Sequence, residues 1–419
     1  MMIKDFLLNK KIFIAFWFGC LYFQHFIAQL LLTTSIRTTI WHILWVIYAI
    51  WTVIILIYDI YKKNINFKDK KILTLSLFAL INTISLFLFS SNHSAYYIFA
   101  LATLYAQCFI FYTYDNKNEI KDLFIKLAYV FVGIVSIYTT ISLACCALGY
   151  TSLTLPNGSI IKMLGDQTLA HNKLRFMGLW TWYTTASFNC YTAILFSLYF
   201  LDLNKNKIFH ITMIILNTIM IYLTDSRSSL IILAFIFLCG ISFILRKKLS
   251  TKKILHIALI AVVFSILFVV LKIISNSELL SMLMSDPYHV LNDLSSLRLN
   301  MHVGIIQHMK DSWLLGYGYC NNDFVVSTYS IPHPHNVFMA TLLYSGIVGL
   351  VLFMIFIILN IQSLLKNIKT IFSSNLRWIL VLVMSIFIES LFDICIIGAP
   401  LNIETLYFWL CLGILVKLN

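Results

Sequence analysis

Residues 335–360 read HNVFMATLLYSGIVGLVLFMIFIILN: a histidine and an asparagine at the mouth of a long apolar run that holds no Asp, Glu, Lys or Arg. A helix needs about 20 such residues to cross the hydrocarbon core of a bilayer. A surface helix of a soluble domain would carry a charged face, and this segment has none. It therefore reads as a membrane span, and it sets the fold class as all-α. Similar runs occupy roughly 12–33, 39–58, 72–90, 95–113, 123–149, 178–201, 209–225, 229–245, 254–274, 378–394 and 403–418. Of the 419 residues 60% are hydrophobic and 11% charged, a balance that excludes an ordinary soluble domain. The runs are continuous rather than alternating, which excludes a β-barrel. The first run has no small-residue cleavage site and reads as a retained span. The expectation is a polytopic integral membrane protein of about 12 transmembrane helices.

The basic residues orient this bundle. With the N-terminus in the cytoplasm, all but eight of the 30 Lys and Arg fall on the cytoplasmic side, clustered at Lys62–Lys71 and Arg246–Lys253. The eight are Arg37, Lys162, Lys173, Arg175, Arg227, Lys272, Arg298 and Lys310. This satisfies the positive-inside rule, and an even number of spans returns the C-terminus to the cytoplasm. The net charge of +13 is thus a topology signal carried by short loops, and it does not point to nucleic acid. The nine cysteines are scattered, mostly within spans, with Cys320 in a long loop. They show neither a disulfide framework nor a CxxC metal pattern.

Most connections are short, but two on the external side are long, about 150–177 and 275–334. Long loops on a compact scaffold are often functional. In the second, the spacing predicts a helix from about Ser295 to Met309, with Leu297, Met301 and Ile305 on one face and Arg298 and His302 on a neighbouring one. Trp313-Leu314-Leu315-Gly316-Tyr317-Gly318 then reads as an apolar dip into the interface followed by a glycine turn, so the loop is expected to fold back over the membrane as a lid.

The chemistry-bearing residues gather at this external edge. Pro332-His333-Pro334-His335-Asn336 places two histidines between backbone-restricting prolines, where an ionisable group at membrane depth is a functional candidate. Three readings are open. A metal site would need further ligands from His302, His308 or Asp323, and no spacing demands one. A structural, hydrogen-bonded pair is the second. General-base catalysis is the third and preferred reading, because imidazole titrates near neutral pH and takes a proton from a hydroxyl.

Arginine is distributed unlike lysine. Of six arginines, Arg37, Arg175, Arg227 and Arg298 are external, whereas nearly all lysines are cytoplasmic. The guanidinium fork grips phosphate through paired hydrogen bonds, and ammonium does not. Arg37 reads as a headgroup contact. Arg227 lies in Thr224-Asp225-Ser226-Arg227-Ser228-Ser229, a minimal polar step between two spans; Ser226 or Asp225 is placed to cap the following helix, whose free amides would also face an anion. Glu389 and Asp393, four residues apart in a late span, are a proton site or a partner for an arginine across the bundle. Outside the membrane there is no nucleotide donor, so a transferase there must use an activated donor already in the membrane. A lipid-diphosphate sugar meets that demand, with arginines to stabilise its departing charge and histidine to take the acceptor's proton.

These residues resemble the O-antigen ligase and O-antigen polymerase superfamily. His335-Asn336, nine residues, Gly346, two residues and Gly349 is similar to its signature; Thr224-Asp225-Ser226-Arg227 is similar to its T-x-S-R element; Arg298, Trp313 and Gly316-Tyr317-Gly318 are similar to its external-loop pattern. The resemblance spans about 209–360, flanked by N-terminal helices at 1–208 and C-terminal helices at 361–419. Ile231 stands where some ligases have leucine, a conservative departure.

The resemblance implies a GT-C-like helical fold and transfer without metal or cofactor. The donor implied is an undecaprenyl-diphosphate-linked oligosaccharide, the acceptor a glycan. The place implied is the outer face of the bacterial cytoplasmic membrane, with a flippase and a chain-length regulator as further partners. It assigns His335 as catalytic and Arg227 as diphosphate-binding, and Arg298 matches a loop arginine; Arg175 and His333 lie outside its strictest pattern and, with Asn336, are expected as accessory substrate-binding residues. The expected activity is polymerisation of a surface polysaccharide such as O-antigen or capsule. Ligation to lipid A core is the alternative, and transport of a lipid-linked sugar is a rival of another class.

Overall fold

The computed structural model describes residues 7–28, 31–32, 34–89, 95–113, 117–155, 158, 160–165, 175–180, 182–245, 288, 292, 298–319, 321–331, 333–393, 395–397 and 402–417. The architecture is helical. In chain order the main elements are α1 Lys10–Tyr22, continued by a π-helical stretch Phe23–Ala28, then α2 Thr34–Tyr61, α3 Lys70–Phe89, α4 Ala95–Thr113, α5 Lys117–Ala147, α6 Tyr183–Asp202, α7 Lys207–Thr224, α8 Arg227–Leu245, α9 Arg298–His308, α10 Asp323–Tyr329, α11 Val337–Lys366, α12 Ile368–Ser373, α13 Leu376–Glu389 and α14 Ile403–Val416. Among the described residues, six helical stretches are long and apolar enough to cross a membrane: Lys10–Ala28, Ser35–Tyr61, Lys70–Phe89, Glu119–Ala147, Lys207–Thr224 and Val337–Lys366; Tyr97–Thr113, Arg227–Phe243 and Ile403–Val416 are shorter apolar helices. The expected span at 254–274 and most of the loop that follows it lie outside the described residues.

Burial divides the helices into two kinds. In α14 the whole of Ile403–Val416 except Glu404 is buried, and in α6 so is Ala186–Ser197. A helix apolar on every side belongs in the centre of a bundle. On α2, by contrast, Ile43, Ile47, Ile50, Ile54 and Ile57 are exposed, and on α11 Val351, Ile355 and Ile358 are. These are faces that lipid covers. Buried polar side chains tie the helices together: Thr139 donates to Asn217 at 2.9 Å, Tyr112 to Asn360 at 2.9 Å and Tyr48 to Gln107 at 2.6 Å. Interhelical hydrogen bonds of this kind serve as glue where hydrophobicity cannot distinguish protein from lipid.

Three local features depart from the sequence expectation. The segment 150–177 contains two small antiparallel ladders, β1 Ser152–Thr154 with β2 Ile160–Lys162 and β3 Leu164–Gly165 with β4 Arg175–Phe176. The late span at 378–394 stops early: α13 ends at Glu389, Ser390 accepts a 2.8 Å bond from the otherwise free Val337 N–H at the start of α11, and the chain turns out to Asp393. Glu389 and Asp393 therefore part company. Glu389 is buried and hydrogen-bonded by Tyr191, whereas Asp393 faces the histidine pair.

The third departure concerns the glycines. Helix α11 is broken at Gly346, whose φ of 64° and ψ of −167° leave the helical region. The break frees two carbonyls and two amides, and the Trp313–Gly318 turn takes all four. Tyr317 N–H bonds Leu343 O at 2.8 Å, Gly318 N–H bonds Tyr344 O at 3.1 Å, Ile347 N–H bonds Trp313 O at 2.8 Å and Val348 N–H bonds Leu314 O at 3.3 Å. A Cβ on Gly316 would lie 2.6 Å from the Gly346 nitrogen, and one on Gly346 would lie 2.2 Å from Leu314 O. The expected dip into the interface is thus a plug keyed into a broken span, and glycine is required where the two backbones touch.

Candidate functional site

The plug places its flanking segments over one end of the bundle. Leading into it, α9 buries Met301 and Ile305, the face read from the sequence, and this turns Arg298 and His302 toward the start of α11. His302 Nε2–H donates to Pro334 O at 3.2 Å and so pins the histidine segment. Asn336 caps α11: its Oδ1 accepts from Phe338 N–H at 2.8 Å and Met339 N–H at 3.1 Å, while its Nδ2 donates to Leu391 O at 2.9 Å. Held from both sides, His335 adopts a left-handed backbone with φ 49°. Such a φ is uncommon outside glycine and is often tolerated where function requires it.

The two imidazoles sit 4.1 Å apart between ring centroids, tilted by 53°. His335 N–H donates to His333 Nδ1 at 3.3 Å, so the proton of neutral His333 lies on Nε2, which faces Asp393 Oδ1 at 3.6 Å. His335 Nδ1 is buried and has no hydrogen-bond partner among the described residues. Burial lowers the proton affinity of both rings, and Asp393 partly restores that of His333. His335 is pushed down to about 3 by burial first, then by His333, Arg298 and His302. It is therefore neutral at physiological pH, with a lone pair available.

Three arginines from distant parts of the chain feel one another's charge here. Arg298 is lowered in proton affinity chiefly by burial; Asp393 and Tyr183 oppose this, and Arg175 and Arg227 add to it. Arg175, on β4, is buried with its guanidinium 4.3 Å from the Tyr183 ring centroid, a cation–π contact. Arg227 is exposed. It follows Ser226, whose Oγ accepts from Ser229 Oγ at 2.9 Å. Arg227 and Arg298 are each the first residue of their helices. A cation at the positive end of a helix dipole costs about 0.3–1 kcal/mol, so two such placements beside a third arginine make a site for an anion.

Other sequence candidates lie apart from this cluster. His308 is sandwiched between Tyr317 and Phe324, at 4.4 and 4.0 Å between centroids, and serves packing. Asp323 begins α10. Tyr183 carries no signal in the sequence, whereas Asp393, expected as a proton site or as an arginine's partner across the bundle, faces His333 and raises the proton affinity of Arg298.

The model of the O-antigen ligase family matches residues 212–354. No curated protein and no solved structure matches the chain. The matched segment contains Arg227, Arg298, His302, His333, His335 and the Gly346 break, while Arg175, Tyr183 and Asp393 reach the same cluster from outside it. With its apolar helices, the chain is a multi-pass membrane protein, and over residues 212–354 it is similar to the O-antigen ligase family.

Proposed function

We propose that this protein is a membrane glycosyltransferase that moves an undecaprenyl-diphosphate-linked oligosaccharide onto a sugar hydroxyl at the outer face of the cytoplasmic membrane, as a surface-polysaccharide polymerase. The observation that carries the reading is the meeting of Arg175, Arg227 and Arg298 beside a neutral, backbone-fixed His335. The arginines hold the donor diphosphate. His335 takes the proton of the acceptor hydroxyl as its oxygen attacks the anomeric carbon from the face opposite the diphosphate. The bond from that carbon to the diphosphate oxygen breaks, and the leaving charge is drawn onto the guanidinium forks. Direct displacement inverts the anomeric centre.

The reaction needs no metal in this reading. His333 Nδ1 already accepts from the His335 amide, its Nε2 carries the proton, and Arg298 places a fixed positive charge beside both rings. Polymerase is the preferred reading, with ligation to lipid A core as the alternative.

The test is reconstitution of the purified chain with undecaprenyl-diphosphate oligosaccharide alone. A ladder of longer lipid-linked glycans, undiminished by prolonged EDTA treatment, is expected. Product formation only when lipid A core is added would make it a ligase, and movement of donor across the bilayer without bond formation would make it a transporter.

A further inference from the structure

His335 must release its captured proton before each new cycle, and its surroundings oppose keeping it. The ring is largely buried and lies among His333, His302 and Arg298, with Arg175 and Arg227 next to Arg298. The outlet that the geometry offers is polarised in one direction. His333 Nδ1 accepts the backbone N–H of His335 at 3.3 Å, beside the His335 ring, and its Nε2–H faces Asp393 Oδ1, 3.6 Å away. Ring nitrogens and carboxylate oxygen of His335, His333 and Asp393 lie within 4.8 Å of one another, a span that one bridging water closes. The last member is the least enclosed: the Asp393 side chain is 30% exposed, against 23% for His333. Asp393 sits on the turn that α13 makes once it has docked on the start of α11, so the fold itself delivers a carboxylate there.

We propose that His333 and Asp393 form a proton relay that empties His335 after each glycosyl transfer. This rests on the base role given to His335 above and adds the fate of the proton. His335 gives the proton taken from the acceptor hydroxyl to His333 Nδ1, which releases the His335 backbone N–H as it takes the proton. The Nε2 proton of His333 passes to the Asp393 carboxylate, and from there to water. The relay returns to its starting state after a shift of the His333 proton between its two nitrogens. No electron moves and no further reactant is consumed. Glu389 takes no part, because it is buried and held by Tyr191.

The relay separates the first turnover from those that follow. With enzyme in excess over donor, formation of the first glycosidic bond needs only an empty His335. With donor in excess, the rate also needs its reset. Asp393→Asn is therefore expected to hold the single-turnover rate within about twofold while cutting the multiple-turnover rate at least about tenfold at saturating donor. Millimolar imidazole should restore multiple turnover in His333→Ala, and Asp393→Glu should retain it. A residue that merely supports the fold would slow both regimes alike and would not respond to imidazole. Thermal melts and monodisperse elution in detergent verify that each variant is folded.

Equal losses in both regimes, or no loss in either, would overturn the relay; the second result would mean that the proton departs with the diphosphate. A separate outcome bears on the parent reading. If His335→Ala keeps its single-turnover rate, the base role itself fails.

Discussion

Two arginines at opposite ends of the bundle show how one residue type is used in two ways. Arg377 is spent. Its Nε and Nη2 donate to Asp202 Oδ2 at 3.0 and 2.5 Å, Trp378 Nε1 donates to the same oxygen at 2.6 Å, and the guanidinium lies 5.4 Å from the Phe243 ring centroid. Its charge, two of its donors and its flat face are used within the protein, and the result is a clasp between α6 and α13. Arg298 feels the charge of two other arginines, and both it and His333 feel the carboxylate of Asp393. A gathering of arginines at one place attracts an anion that is not part of the chain. The difference locates the site more firmly than any one motif does.

The hardest test of that contrast is His335→Ala, where transfer should fall by roughly 10²–10⁴-fold while insertion and donor binding persist. Correctly inserted His335→Ala with near wild-type turnover would remove the base from the mechanism. Next comes Arg227→Lys, which keeps the charge and loses the fork. Loss of a charged hydrogen bond is worth about 1.5–3 kcal/mol, so donor affinity and turnover should drop by roughly tenfold to a hundredfold, with Arg227→Ala no better. Arg37→Lys, at a site read as a headgroup contact, should be silent at equal expression. If Arg227→Lys matches wild type, a bare positive charge suffices and the fork argument falls.

Stability offers a third comparison, because the plug is structural and the clasp is peripheral. Gly346→Ala forces a Cβ to within 2.2 Å of Leu314 O on a backbone with φ of +64°. A loss of about 1–3 kcal/mol is expected, visible as a lowered melting temperature and readier proteolysis at the Trp313–Gly318 turn. Arg377→Ala breaks a partly exposed pair, for which about 0–1 kcal/mol is typical, and glycan elongation should continue. Elongation lost in Arg377→Ala without loss of fold would show that the two ends are coupled and would undo the contrast.

The smallest expected effect is an absence of one. An ordinary histidine base would protonate near pH 6.5 and bring activity down with it. His335, pushed down to about 3, stays neutral well below that, so kcat/KM should remain level from neutral pH down to about pH 5. For stability the sign runs the other way: the unfolded chain binds a proton at this histidine below about pH 6.5 and the folded chain does not, so folding loses support as the pH falls from there toward 3. An acid limb near pH 6.5 in kcat/KM would mean that the ring is more solvated, or better paired, than its surroundings indicate.

Much of this molecule is legible along the chain, and the reason is the range of the forces involved. Transfer into hydrocarbon acts on each run of about 20 residues by itself, so the places of α2, α3, α7, α8 and α11 follow from local composition. The T-x-S-R step, the Pro-His-Pro-His-Asn segment and the Met301–Ile305 face are likewise short-range patterns: the first joins α7 to α8, His333–Asn336 leads into α11, and the last lies on α9. What spacing cannot supply is the meeting of residues with no periodic relation. Arg175 enters on a two-residue strand, Tyr183 on the first turn of α6, and Asp393 on a turn made only because Ser390 docks on the amide of Val337. From the sequence, Gly346 and Gly316 are two separate signals. Only the folded chain makes them one contact, because their backbones approach more closely than a side chain allows. Sequence alone determined which segments enter the bilayer and which side chains have the chemistry to act. The tertiary structure decided which of those side chains face one another, because charge repulsion, proton direction and backbone interlock act between segments that the chain order keeps apart.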